Sequence, residues 1–253
     1  LYGCGEPIGY HEVDGEIRYY HSSDPEWLPS AAGPGKKKTV FQKLENVNIS
    51  AFEIYETIAK DDKNVWYKGE PIIGADSESF IKLDGPYQKD KESVYFEGER
   101  FENVNPDQFE VIKNAGYIAY ARSDNQVFFR DKSLNVNSVQ GFEIIQGSDS
   151  WAKDGINYYF WDRKIPLDNY NDIEIINSSC FKDNSYVFHI NGEEIDTVIV
   201  NSGGNIDIPD LDIQSIKKTE HTSFIKDKFG YIDVHSKIRV SVKDYEYQID
   251  HDN

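Results

Sequence analysis

Lys60-Asp61-Asp62-Lys63-Asn64-Val65-Trp66-Tyr67 returns 29 residues later as Lys89-Asp90-Lys91-Glu92-Ser93-Val94-Tyr95-Phe96. It returns again as Arg122-Ser123-Asp124-Asn125-Gln126-Val127-Phe128-Phe129 and as Lys153-Asp154-Gly155-Ile156-Asn157-Tyr158-Tyr159-Phe160. A fifth copy is Lys182-Asp183-Asn184-Ser185-Tyr186-Val187-Phe188-His189, and the later copies start 33, 31 and 29 residues apart. A fixed period of this size marks an array of small supersecondary units that stack on their neighbours. Such arrays build binding surfaces more often than catalytic clefts.

One unit can be read residue by residue. Tyr87-Gln88-Lys89 is a short strand, and Asp90 to Ser93 is a polar turn in which the Asp bonds backbone two residues on. Val94 to Glu97 is the return strand, and Gly98 permits the bend after it. Asn105 caps and Pro106 opens a single helical turn, and Phe109-Glu110-Val111-Ile112 is a third strand. The second half recurs with an apolar anchor at one fixed place: Phe52, Phe80, Phe109, Phe142 and Ile173.

The expected fold is therefore all-β: a tandem repeat of short β-meander units, each with about three strands and one helical turn, stacked as a curved array. A β-propeller is the alternative, although its blades usually take four strands and ~40–45 residues. Residues 1–57 read as an N-terminal cap, with a degenerate copy signalled by Asp14-Gly15 and a Gly/Pro/Lys-rich insertion at 22–40. Residues 58–195 are the core repeats. Residues 196–253 form a degenerate C-terminal repeat that restarts at 224–232, and the three parts read as one continuous domain.

Composition agrees. Aromatic residues reach 14% while hydrophobic content is only 38%, so Tyr and Phe must carry the packing, as suits strands. The net charge of −18 excludes nucleic acid as the natural partner, because phosphate binding needs clustered Lys and Arg. An acidic surface suits solubility or a basic protein partner. No apolar run approaches the ~20 residues of a membrane span.

The chain contains no Met, and it opens Leu1-Tyr2-Gly3-Cys4. That spacing is like the end of a bacterial lipoprotein signal, with Cys4 as the acylated residue; a chance tetrapeptide is the plain alternative. Cys180, entering a strand, reads as a small buried hydrophobe rather than a disulfide partner.

The repeats resemble the DKNYY family, named for an Asp-Lys-Asn-Tyr-Tyr core. The nearest copy is Asp62-Lys63-Asn64-Val65-Trp66-Tyr67, followed by Ala75-Asp76-Ser77-Glu78-Ser79-Phe80 as the second recurring element. Ser77 stands where the family has Pro, and Asn105-Pro106 restores it in the next copy. The resemblance covers roughly residues 58–195. It implies a bacterial envelope or secreted protein with no catalytic residues to transfer. Similar envelope proteins are sometimes encoded beside antibacterial toxins, where they look like immunity proteins.

A search for chemistry finds little. The six histidines form no metal-ligand spacing, and His189 occupies the place of Tyr67, Phe96, Phe129 and Phe160, as a packed aromatic would. His21 with Asp24 reads as a solvated loop pair. Asn201-Ser202-Gly203-Gly204 lacks the Lys of a phosphate loop. Asp207, Asp210 and Asp212 lack the Gly and terminal Glu of a calcium loop. No cofactor, metal or catalytic residue is expected. The binding candidates are the aromatic stripe Trp66, Tyr95, Phe128 and Tyr159, which is either a row of exposed hot spots or simply core.

Three functions are open on the sequence. The first is a non-enzymatic envelope protein, periplasmic or secreted, that binds a protein partner, most sharply an immunity protein neutralising a toxin. The second is a surface module that binds glycan or wall polymer through the aromatics. The third is a hydrolase with an unrecognised site. Function is expected where the repeat breaks: the 22–40 insertion, the 196–223 interruption and the two ends.

Overall fold

The computed structural model describes residues 8–22, 39–165, 173–183, 186–191, 194–200, 211–217, 219, 223–236 and 238–246. Seven small antiparallel sheets run along the described residues, and none closes into a barrel. A three-stranded sheet spans residues 9–43. Five four-stranded meanders follow, here called sheets I to V, at residues 53–71, 81–100, 110–134, 143–164 and 174–200. A three-stranded sheet at 224–240 comes last. By packing the chain divides into two compact units, residues 1–134 and 135–253.

The all-β repeat is as the sequence predicts, but each meander has four strands rather than three. The missed strand is two or three residues long: Glu70–Pro71, Glu99–Arg100, Lys132–Leu134 and Arg163–Lys164 in sheets I to IV. A unit of about 30 residues thus reaches the strand count of a propeller blade by shortening every strand. Two residues are too few to show the period-two alternation by which strands are read.

Two turns alternate within each meander. The charged half of the motif is a four-residue loop, with Lys60 paired to Val65, Lys89 to Val94, Arg122 to Val127, Lys153 to Tyr158 and Lys182 to Val187. The other is a two-residue loop before the last strand, with Tyr67 opposite Glu70 and Phe96 opposite Glu99. Lys68-Gly69 and Glu97-Gly98 both have positive φ in that loop, matching the right-handed twist of the strands. At Gly98 a second constraint is added, because a Cβ there would lie 2.8 Å from Cβ of Tyr67 in the preceding sheet. Gly98→Ala is expected to cost about 2–3 kcal/mol in urea denaturation, combining left-handed strain with overpacking. Gly155→Ala has the strain, at φ +95°, but open space, and is expected to cost only about 1 kcal/mol.

The core lies between successive sheets. Ile58 and Val65 of sheet I, with Ile72 just after it, pack with Phe80 and Tyr95 from the next repeat. Tyr87, Val94 and Phe96 of sheet II join Phe109, Ala119, Ala121 and Phe128 of the third. Trp151, Phe160 and Ile165 join Phe181, Phe188 and Ile190 in the second unit. The last cluster ties Ile176, Cys180 and Val187 to Ile213, Ile216, Ile225 and Ile232. A single meander of such short strands has no interior of its own, so each is stable only against a neighbour.

Candidate functional site

The aromatic stripe is core. Trp66, Tyr95, Phe128 and Tyr159 are 3%, 0%, 3% and 1% exposed. Each receives the anchor of its own repeat: Phe52 on Trp66 at 5.8 Å between ring centroids, Phe80 on Tyr95 at 5.6 Å, Phe109 on Phe128 at 6.1 Å, and Phe142 on Tyr159 at 5.7 Å. These contacts correct the expectation of a binding platform. The equivalence of the four positions reflects one internal ring contact repeated, and no ring face is left for a ligand. His189 is likewise buried, its ring 4.8 Å from that of His235. Burial pushes the Cys180 thiol up to about 12, as fits a small hydrophobe with little thiolate at neutral pH. Cys4, Asp24, Asp207, Asp210, most of the 22–40 insertion and residues 201–210 lie outside the described residues.

The Lys-Asp half of the motif has a larger role than turn formation. One oxygen of the Asp holds its own loop: Oδ1 of Asp61 accepts from the backbone N–H of Lys63 and Asn64 at 2.8 and 2.7 Å, and Oδ1 of Asp90 from Glu92 and Ser93 at 2.8 and 2.7 Å. The other oxygen reaches back to the N–H that starts the repeat's helical turn. Asp61 takes Asn48 at 2.8 Å, Asp90 takes Asp76 at 2.9 Å, Asp154 takes Asn137 at 2.6 Å, and Asp227 takes Asp212 at 3.2 Å. The lysine reaches forward. Nζ of Lys60 donates to the Ser77 carbonyl at 3.1 Å, Lys89 to Pro106 at 2.8 Å, and Lys182 to Ile213 at 3.0 Å, each in the turn of the next repeat. In the copies at 60–61 and 89–90 the dipeptide therefore ties one turn behind it to one turn ahead, and the other copies keep one half of the tie.

Two of these aspartates also accept a buried phenol, Tyr95 Oη on Asp90 at 2.8 Å and Tyr159 Oη on Asp154 at 2.6 Å. A carboxylate–phenol pair can serve acid–base chemistry, but these do not have the electronics for it. Burial raises each carboxyl, and the donors around it more than offset that, so Asp90 falls below the usual range and Asp154 falls to about 2. Tyr95 is pushed up to about 12, first by burial and then by the Asp90 carboxylate. Both partners are held in their ordinary charge states across neutral pH, and both are buried.

Accessible polar groups gather elsewhere, beside the C-terminal sheet. A groove of about 850 Å³ is lined by Gln214, Ser215, Ile216, Lys217, Thr219, Lys226, Asp227, Lys228, Tyr231 and Tyr245. Its floor follows from the last repeat. Asp227 binds the N–H groups of Phe229 and Gly230 and is gripped by Arg239 at 2.7 and 3.0 Å. Lys217 bridges to Lys226 across the sheet edge. The helical turn at 242–246 begins at Ser241, whose hydroxyl accepts from the Asp244 N–H at 3.1 Å, and it lays Tyr245 on Tyr231 with 3.7 Å between centroids and 11° between planes. Sequence reading places function at this end but misses the groove. The available signal is four lysines, 217, 218, 226 and 228, in a short segment of a strongly acidic chain.

These features define a class: an all-β repeat protein in which stacked four-stranded meanders are stapled by Lys-Asp dipeptides. The chain belongs to the DKNYY family, whose sequence model matches residues 58–232 and so takes in the copy built on Asp227. No curated protein and no solved structure matches the chain. No helix among the described residues is long and apolar enough to cross a membrane.

Proposed function

We propose that this is a non-enzymatic bacterial envelope protein that binds a protein partner, in its sharpest form an immunity protein that neutralises a secreted antibacterial toxin. The observation that carries the reading is how the chain spends its residues. The rings of its repeated aromatic stripe are consumed by internal packing, while most of the net charge of −18 is left to the surface. An acidic rigid surface steers a basic partner and raises its association rate without any cleft. A lipid on Cys4 would hold the protein where an incoming toxin must pass. Glycan binding through the stripe loses its support, because Trp66, Tyr95, Phe128 and Tyr159 are inside.

The reading predicts a stable complex with the product of the adjacent gene, and protection of cells that express that product. The association rate is expected to fall at least ~10-fold between low and physiological salt, as steered encounters do. Purified proteins that form no complex, together with cells left unprotected, would remove the proposal.

A further inference from the structure

Lysines in a chain with 45 acidic and 27 basic residues are expected to find carboxylates, as Lys43, Lys82, Lys91, Lys153, Lys182 and Lys228 do. In the C-terminal groove Lys228 is paired with Asp212 at 2.7 Å, and Asp227 is spent on Arg239. Lys217 and Lys226 have no carboxylate partner among the described residues. Nζ of Lys226 sits 4.5 Å from the centroid of Tyr231 and 3.3 Å from its hydroxyl, a contact that orients the ammonium without neutralising it. Two uncompensated positive charges thus face a concavity on an acidic protein, which focuses a field that attracts anions.

Size and lining narrow the ligand. At about 850 Å³ the groove is within the range that takes small organic molecules, and a bare anion would leave most of it empty. The hydroxyls of Ser215 and Thr219 are spent on the Asp212 and Phe224 carbonyls, so recognition falls to the two ammoniums, the exposed Gln214 amide and the tyrosine pair. Tyr231 has Tyr245 on one face and Nζ of Lys226 on the other, and Phe224 stands perpendicular to Tyr245, which leaves Tyr231 no face for a planar base. We propose that this groove binds a carbohydrate carrying a carboxylate or phosphate group, with Lys217 and Lys226 on the anion and the Tyr231–Tyr245 wall beside the sugar. Lysine is a point charge that serves either anion equally well. The proposal does not rest on the toxin reading, and sugar binding is measured without a toxin, so the two stand or fall on their own tests.

The test is a titration of the protein followed by backbone amide NMR. The probes are digalacturonate, glucose 6-phosphate, maltose and inorganic phosphate. At least one anionic sugar is expected to bind below ~1 mM and to move the amides of residues 215–217, 226 and 231, while maltose does not. Comparing the first two probes tells carboxylate from phosphate. Lys226→Glu is expected to weaken binding ~10-fold or more and Lys217→Gln several-fold, at exposed positions where near-UV circular dichroism should be unchanged. Absence of shifts at ~10 mM of either anionic sugar overturns the proposal, as does binding that neither substitution weakens. Inorganic phosphate binding as tightly as both sugars overturns the carbohydrate assignment.

Discussion

Asp154→Ala is expected to destabilise the second unit by about 3–5 kcal/mol, more than any surface substitution. The carboxylate is 1% exposed and accepts from the Asn137 and Asn157 backbone, the Asn157 amide and the Tyr159 hydroxyl. Removing it strands several donors in the interior, and each unmet buried donor costs about 1–3 kcal/mol. Asp154→Asn keeps an acceptor for the loop but turns an N–H₂ toward groups that themselves donate; about 2 kcal/mol is expected. Urea denaturation followed by tryptophan fluorescence and by amide exchange at residues 151–160 measures both.

The same carboxyl fixes an acid response. Its pKa is lowered from 3.8 to about 2 in the folded protein, so folding favours the ionised form. The corresponding stability, about 2 kcal/mol, is complete above pH ~4 and is lost as pH falls toward ~2. Asp61, Asp90 and Asp227 are lowered in the same direction by the same balance of burial against hydrogen bonds, and they add to the effect. Asp154→Asn should flatten its share of that acid limb. An unaltered acid limb in Asp154→Asn would show that the clamp carries no charge-dependent stability.

What the sequence makes legible follows from distance along the chain. The hairpin, the polar turn, the Asn105–Pro106 turn and the Asp14-Gly15 loop all depend on neighbours within four residues, and all are found. The anchors are legible because one large apolar residue returns at one phase. The roles of Lys60, Asp61 and their equivalents are not legible. Their partners lie 13 to 17 residues away, or 31 for Lys182, and no local pattern reports which carbonyl a lysine reaches. Tolerance of change at this dipeptide also hid its importance. In the copy with Arg122-Ser123, Arg122 instead pairs with Glu110 across its own sheet at 2.9 Å, and Phe128 replaces the tyrosine that a clamp aspartate would bind. The aromatic stripe failed for another reason. Apolar residues on both faces of a strand are what a two-sided core and a one-sided platform share, and only packing separates them.

Trp151→Ala is expected to cost about 3–5 kcal/mol, the range for deleting a large buried ring. Trp151 is fully buried between Phe160 at 5.3 Å in its own sheet and Phe181 at 5.2 Å in the next, both edge-on. Its Nε1 donates to the Ser178 carbonyl at 3.1 Å, so it also fastens the loop between the first two strands of sheet V. The ring is thus the joint between two repeats, and in a stacked array the loss should appear at the interface rather than within one meander. Amide exchange is expected to accelerate at residues 180–182 as well as 151–153. Trp151→Phe keeps most of the apolar area and loses the hydrogen bond, for about 1–2 kcal/mol. If exchange quickens only within residues 143–164, the repeats are stable singly, and the account of mutual burial between neighbours is wrong.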